Sequence, residues 1–208
     1  IPIVYNYTIK VYSKMLTINE KKVLKVLIYS FGEDFSINEI SRKCSIAPNG
    51  ALKILRKFQK VGILSIKKIS NIASYKINFQ NNKTHSIIEL VLIDEFKGRV
   101  NSRYLDLLPL KKIVDSCILF GSYLNKENPN DLDLIFIIKR KDFNKFKELT
   151  KELFLSMPIK VHEIIQTKED FVSNIKNKDP VVLESLKKGL ILWGQKLIIE
   201  TIEDANSE

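Results

Sequence analysis

A glycine-serine turn and two closely spaced aspartates stand out in the stretch FGSYLNKENPNDLDLIFII, residues 120–138. Asp131 and Asp133 lie in an otherwise apolar run, which is typical of a buried strand. Buried carboxylates are costly unless a positive group binds them. Three explanations are therefore open: a bound cation, a basic partner, or a register that leaves both acids at an exposed strand end.

The alternation of side chains along a strand predicts how the two acids are arranged. Residues i and i+2 share a face, so Asp131 and Asp133 point the same way while Leu132 and Leu134 face the core. Neighbouring carboxylates repel each other, and a divalent cation relieves that repulsion. We expect Mg²⁺, or Mn²⁺ in its place, because one or two carboxylates together with substrate phosphates are its usual ligands.

The turn before the aspartates has the residue types that a phosphate requires. Gly121 lets the backbone come close to a phosphate, and Ser122 offers a hydroxyl and a backbone N–H to its oxygens. Metal-binding aspartates opposite a phosphate-binding turn indicate nucleotidyl transfer, in which metal ions activate the attacking hydroxyl and stabilise the departing pyrophosphate.

The order of strand, Gly-Ser turn, Asp-x-Asp and strand resembles the nucleotidyltransferase superfamily of DNA polymerase beta, especially its minimal nucleotidyltransferase branch, over residues 116–171. The resemblance implies that Gly121 and Ser122 bind the triphosphate and that the two aspartates ligate the metal. Family sequences often carry Arg-Gly soon after the serine. Leu-Asn-Lys stands there in this chain, so Lys126 is expected to supply the positive charge.

The resemblance also implies a third carboxylate on a later strand. By position that strand is IKVHEIIQ, residues 159–166, and Glu163 is its only acid. We predict that Glu163 joins Asp131 and Asp133 as a metal ligand and orients or deprotonates the acceptor hydroxyl. A register that differs by one residue would direct His162 to the site instead.

The first half of the chain carries three helical patterns followed by a hairpin pattern. Two capping boxes, Thr17 with Glu20 and Ser36 with Glu39, begin two amphipathic helices. A third helix is predicted to start near Pro48, which suits a first-turn position. The β-rich segments ILSIKKIS and SYKINF, joined by the short turn NIA, then predict a hairpin.

This order of elements resembles the winged-helix domains of prokaryotic regulators over residues 16–80. The resemblance implies that the third helix enters the major groove of duplex DNA and that the hairpin contacts phosphate. The expected nucleic-acid-binding residues are Asn49, Lys53, Arg56, Lys57, Lys60, Lys67, Lys68 and Lys76. The alternative is that these lysines are merely solvated and that the domain serves protein interaction or dimerisation.

The net charge of +10 is distributed unevenly along the 208 residues. Residues 1–99 hold 17 Lys and Arg against 7 Asp and Glu, whereas the rest of the chain holds 17 of each. The whole excess therefore belongs to the first half. A basic half joined to a neutral half favours two modules, with a polyanion as the partner of the first.

Composition favours a globular protein of the cytoplasm. An apolar fraction of 45% is ample for packed cores. No apolar run approaches the ~20 residues of a membrane span. Cys44 and Cys117 lie in core-like segments without metal-ligand spacing and are expected to be reduced. Trp193 is expected to pack in a core.

These observations together predict an α+β protein with a winged-helix domain over residues 1–82, connecting helices over 83–115 and a small α/β nucleotidyltransferase domain with a mixed sheet over 116–208. The polar run after Gly98 is the expected domain boundary. The favoured function is Mg²⁺-dependent transfer of a nucleoside monophosphate from an NTP to a hydroxyl of an RNA end, a protein or a small molecule. The alternatives are a DNA-binding transcriptional regulator whose second domain only senses nucleotide or mediates association, for instance as a homodimer, and a pure interaction protein.

Overall fold

The computed structural model describes residues 15–69 and 72–206, and within the hairpin it leaves out the side chains of residues 68, 69 and 72. The chain divides between Ile93 and Asp94 into two compact units. The described residues form ten α-helices, a two-stranded antiparallel sheet and a mixed four-stranded sheet. The predicted α+β class and the mixed sheet are confirmed. No helix in the described part of the chain has both the length and the apolar character needed to cross a membrane.

The first unit begins with the predicted helices and hairpin. Its elements are α1 (Ile18–Ile28), α2 (Ile37–Cys44), α3 (Pro48–Lys60), β1 (Leu64–Ile69), β2 (Ile72–Ile77) and α4 (Thr84–Leu92). Both predicted capping boxes form, since the hydroxyls of Thr17 and Ser36 accept the N–H three residues later and the paired glutamates accept the cap N–H. Ile72 and Ala73, which were predicted to belong to the turn NIA, lie in β2 and pair with Ile69 and Lys68.

The apolar faces of these helices form the core of the first unit. Leu24 and Ile28 of α1, Ile40 of α2 and Leu55 of α3 are almost completely buried. Each such side chain stabilises the folded state by about 1.5–3 kcal/mol relative to an exposed position. Because the apolar residues of α3 point inward, its polar residues are left on the opposite, solvent-exposed face.

The second unit contains the segment with the two aspartates. Its elements are α5 (Gly98–Leu107), a 3-10 helix (Leu108–Lys112), β3 (Val114–Phe120), α6 (Ser122–Asn125), β4 (Asp131–Ile138), a second 3-10 helix (Arg140–Asp142), α7 (Phe143–Leu155), β5 (Lys160–Gln166), α8 (Lys168–Lys176), α9 (Pro180–Lys188), β6 (Leu190–Trp193) and α10 (Gln195–Asn206). Strand β4 covers the apolar run with Asp131 and Asp133 in which the sequence predicts a strand. The polar run that begins at Gly98, expected as a domain boundary, forms the start of α5.

The four-stranded sheet has the order β5-β4-β3-β6. Strand β4 runs antiparallel to β3 and parallel to β5, and β6 runs antiparallel to β3. A parallel neighbour requires a crossover connection, which α7 provides between β4 and β5. Strand β4 therefore lies in the interior of the sheet, and β5 is an edge strand.

The two faces of β4 differ as its sequence predicts. Leu132, Leu134 and Phe136 are buried, and the ring of Phe136 lies 5.0 Å from that of Phe146 on α7. Asp131 and Asp133 share the other face at the beginning of the strand and are half-buried. The acids thus lie where the sheet meets solvent, with an apolar core behind them.

Three smaller predictions about packing are confirmed. Trp193 is buried, and its indole Nε1 donates to the carbonyl of Val114 at 3.0 Å. Cys44 and Cys117 are buried free thiols. Burial raises the pKa of both thiols, which keeps them protonated and unreactive.

Candidate functional site

The Gly-Ser turn lies directly against the two aspartates. Ser122 follows β3 at the start of α6, and its hydroxyl donates to Oδ1 of Asp131 at 3.4 Å. A hydrogen bond from the Ser122 backbone reaches the carboxylate of Asp133. The antiparallel pairing of β3 with β4 brings the two segments together, because Phe120 stands opposite Asp133. The expected proximity of the turn and the acids is confirmed.

Gly121 has a structural role that only glycine can fill. Its φ of 74° and ψ of −153° lie in a region that is essentially restricted to glycine. A Cβ at this position would overlap Oδ2 of Asp133. The absent side chain is therefore what allows the Asp133 carboxylate to reach the turn.

We expect Gly121→Ala to remove cation binding and to lower the free energy of unfolding, because Asp133 must move and the backbone is strained. The matched control is Gly32→Ala. Gly32 also has a positive φ, of 86°, but a Cβ there has open space around it. The control should lose only the backbone term of roughly 1–2 kcal/mol and bind cations normally. Thermal unfolding and a Mn²⁺ titration of both variants measure the difference.

His162 completes the group of potential metal ligands. The parallel pairing of β4 with β5 places it opposite Asp133. Its Nδ1 atom lies 3.4 Å from Oδ2 of Asp131 and 3.6 Å from Oδ1 of Asp133. One ligand atom from each of the three residues lies within 4.8 Å of the other two. These side chains can hold a metal ion.

The expectation that Glu163 faces the two aspartates is wrong. Glu163 pairs with Leu134 and lies on the opposite face of the sheet, where it lines a groove beside Lys147 and Lys151 of α7. The physical reason is the period of two, since a one-residue difference in register reverses the face of every side chain. No acid on β5 takes its place, because Glu163 is the only one in that strand.

A signal for this register was present in the sequence. Ile159, just before the strand, and Val161 and Ile165 within it share one face and pack against the core on the α7 side. The other face of the strand carries one apolar residue, Ile164. Glu163 shares their face by parity. Counting the apolar residues on each face of β5, rather than looking for an acid, would have predicted that His162 faces the aspartates.

The charges of the site favour a bound cation. Burial raises the pKa of the Asp133 carboxyl, and the neighbouring charge of Asp131 raises it further. His162 and the Ser122 backbone oppose this rise without cancelling it. Because a ligating carboxylate must be ionised, a cation competes with a proton at Asp133, and we expect cation affinity to fall as the pH is lowered into the titration range of this group.

Lys126 lies at the end of α6 and is exposed. Its N–H donates to the carbonyl of Ser122 at 2.9 Å, which fixes its backbone beside the turn. Among the described residues, no ion pair joins its ammonium group to either aspartate. Its role towards a triphosphate stays a prediction.

Four of the five predicted nucleic-acid-binding residues of α3 share one exposed face. Asn49, Lys53, Arg56 and Lys60, here called the α3 stripe, recur at the spacing of one helix face and are all exposed. Lys67 is exposed on β1. The side chain of Lys68 lies outside the described residues.

Two of the predicted cations are paired with acids of their own unit. Lys57 Nζ lies 2.6 Å from Oε1 of Glu20, and Lys76 Nζ lies 3.2 Å from Oδ1 of Asp34. Asp34 also accepts from the hydroxyl of Ser74 at 2.8 Å, which connects the hairpin to the loop before α2. The charges of Lys57 and Lys76 are therefore partly neutralised. Among the predicted cations whose side chains are described, Lys53, Arg56, Lys60 and Lys67 are the ones without such an ion pair.

Comparison with known proteins adds no relative. No protein-family model matches the chain, and no curated protein or solved structure matches it significantly. Function must accordingly be inferred from the geometry of each unit.

Proposed function

We propose that this protein is a DNA-binding regulator whose second unit is a nucleotidyltransferase-like domain that binds a nucleoside triphosphate together with a divalent cation. The first unit is proposed to act as a winged helix. Its three helices and hairpin, and the exposed positive charge of the α3 stripe, support this assignment. Duplex DNA is the proposed partner, since unpaired cations on a helix face neutralise phosphates.

The proposed nucleotide site uses the turn and the acids together. Asp131 and Asp133 would hold the cation, which neutralises phosphate charge when bound, and Ser122 would donate to a phosphate oxygen. Gly121 leaves room for a close approach of backbone and ligand. His162 adds an imidazole nitrogen to the donor set. Imidazole is a better ligand for first-row transition metals than for Mg²⁺, so Mn²⁺ fits this set better than Mg²⁺.

The observation that carries the choice of binding over transfer is the β4–β5 register, which places His162 beside Asp133 where Glu163 was expected. Two-metal nucleotidyl transfer needs enough ligands to hold two cations about 3.5–4 Å apart. Two carboxylates and one imidazole offer two negative charges at most. This set suits a single cation bridging to phosphate, which is sufficient for sensing a nucleotide.

The proposal predicts that nucleotide and DNA affinities are coupled. Each NTP should bind in the presence of Mn²⁺ or Mg²⁺ and not in the presence of EDTA, as measured by calorimetry. The affinity for a fluorescent duplex should change by roughly 5- to 150-fold at saturating nucleotide and cation, the range typical of coupled sites. A duplex affinity that is unaffected by bound nucleotide would contradict the regulatory role.

Nucleotidyl transfer is the second candidate because of the exposure of His162. Its side chain is 46% exposed, and Nδ1 lies near both carboxylates. An imidazole oriented by carboxylates can accept the proton of an acceptor hydroxyl. Incubation with α-labelled NTPs, Mn²⁺ and cell extract tests this. Label on an RNA, a protein or a small molecule that is lost in His162→Ala would establish transfer, whereas no labelled product supports the regulator.

A further inference from the structure

Arg99, on the first turn of α5, makes two hydrogen bonds to the segment that follows the Gly-Ser turn. Its Nη1 donates to the carbonyl of Glu127 at 2.8 Å, and its Nη2 donates to the carbonyl of Lys126. These carbonyls follow the end of α6, where a helix leaves acceptors without intrahelical partners. A guanidinium suits this position because its planar fork can donate to two neighbouring acceptors at once.

Tyr123 makes two further contacts with Arg99, one with its side chain and one with its main chain. The guanidinium carbon of Arg99 lies 5.0 Å from the centre of the Tyr123 ring. In return, the hydroxyl of Tyr123 donates to the carbonyl of Arg99 at 3.4 Å. Tyr123 is 5% exposed and belongs to the core cluster of the unit, so it is a rigid support. Both the main chain and the side chain of Arg99 are therefore bound to the segment after Gly121.

The segment held in this way joins the two parts of the nucleotide site. Residues 122–131 run from Ser122, through α6 and an exposed loop, to the first aspartate of β4. Pairing of β4 with its two neighbours holds Asp131 and Asp133 in place. Arg99 attaches the start of the loop that follows α6, because it donates to the carbonyls of Lys126 and Glu127.

We propose that Arg99 is a positioning residue for the nucleotide site. It holds α6 and the following loop so that the Ser122 hydroxyl stays beside the aspartates, where it can donate to a phosphate oxygen of one cation-bound nucleotide. The inference rests on the proposed nucleotide binding. Arg99 acts through Tyr123, Lys126 and Glu127, so the shape of its fork matters and not merely its charge.

Two substitutions of Arg99 distinguish the effect of its planar fork from the effect of its positive charge. Arg99→Lys keeps the positive charge but cannot donate to both carbonyls in the same planar geometry, and Arg99→Met removes charge and donors together. Lys97→Met is the matched control, because it removes a positive charge only two residues before Arg99. The side chain of Lys97 is 83% exposed and is paired with Glu95. Nucleotide affinity at saturating Mn²⁺, Mn²⁺ affinity without nucleotide, and amide hydrogen exchange of residues 121–131 are measured for each protein.

We expect both Arg99 variants to lose nucleotide affinity by on the order of 10-fold, since small displacements of positioning groups have effects of this size. Their Mn²⁺ affinity should stay within about 2-fold of wild type, because β4 and β5 hold the cation ligands independently. Exchange should quicken in residues 121–130 and remain unchanged in β3 and β4, which also shows that the variants are folded. The control should match wild type in all three measurements.

Each other outcome is informative. If Arg99→Lys binds nucleotide as tightly as wild type, the positive charge of residue 99 is sufficient and the positioning role is wrong. If amide exchange is unchanged in Arg99→Met, Arg99 does not hold the segment after Gly121. If the wild-type protein binds Mn²⁺ but no nucleotide, the proposed function fails and the role of Arg99 towards nucleotide fails with it. If the wild type binds nucleotide and Arg99→Met binds it equally well, only the inference about Arg99 is wrong.

Discussion

Asn in place of Asp131 or Asp133 is expected to abolish cation-dependent nucleotide binding while the protein remains folded. Each substitution keeps the shape of the side chain and removes one of the two negative charges that face His162. Loss of a group that merely supports a metal ligand already lowers metal affinity by about 10–100-fold. Loss of a ligand should therefore weaken Mn²⁺ binding by roughly 100-fold or more, and nucleotide binding with it.

Asp115→Asn is the matched control for these variants. Asp115 is an exposed acid on β3 whose nearest cation is Lys139, at 3.9 Å, and it lies outside the cluster. Mn²⁺ binding can be followed by electron paramagnetic resonance and nucleotide binding by calorimetry. If Asp131→Asn and Asp133→Asn both bind Mn²⁺ and nucleotide as tightly as wild type, the proposed site is wrong.

The stability of Asp131→Asn should depend on pH in a defined direction. Burial and the charge of Asp131 raise the pKa of the Asp133 carboxyl in the folded protein. An acid whose pKa is raised by folding makes the folded state less stable as the pH rises from the unfolded-state pKa, and the loss is complete above the raised pKa. Asp131→Asn removes one of the two causes, so without a cation its free energy of unfolding should equal or exceed that of wild type at neutral pH. The difference should shrink as the pH falls and Asp133 becomes protonated.

Simultaneous replacement of Lys53, Arg56 and Lys60 by Ala is expected to remove most of the DNA affinity of the protein. If each of these residues and Lys67 neutralises one phosphate, log K should fall with log salt with a slope of roughly −3 to −4, and the triple variant should retain a slope of about −1. At 0.1 M salt the affinity should fall on the order of 100-fold. Fluorescence anisotropy with a short duplex, at several salt concentrations, measures both quantities.

Lys57→Ala provides the control on the same helix. Because Lys57 is paired with Glu20 at 2.6 Å, its loss should change the salt slope much less than the loss of Lys60, whose side chain lies on the α3 stripe. Circular dichroism verifies that α1 and α3 remain helical without the ion pair. A slope that flattens equally in Lys57→Ala and Lys60→Ala would show that the ion pair does not determine which lysines face DNA.

Local sequence determined those parts of the protein that depend on neighbouring residues. The capping boxes at Thr17 and Ser36 form because partners three residues apart meet in any helix start. Asp131 and Asp133 share a face because strand side chains alternate wherever the strand is placed. The Gly-Ser turn reaches the acids because it directly follows β3, whose last residue pairs with Asp133 in the next strand along the chain. These local features are sufficient to place the Gly-Ser turn and the two aspartates in one candidate site.

Tertiary structure decided which distant residues meet. The register of β5 against β4 selected His162 over Glu163, and it follows from packing of a whole apolar face against α7, not from a property of either residue. Lys57 is neutralised by an acid 37 residues away, and Arg99 reaches a carbonyl 28 residues further along the chain. Such pairings depend on how separate helices and strands pack against each other when their apolar surfaces are buried. The spacing of two residues along the chain carries no measure of such pairings. The type of site was therefore predictable from local motifs, whereas its third member followed only from the apolar pattern of the whole strand β5.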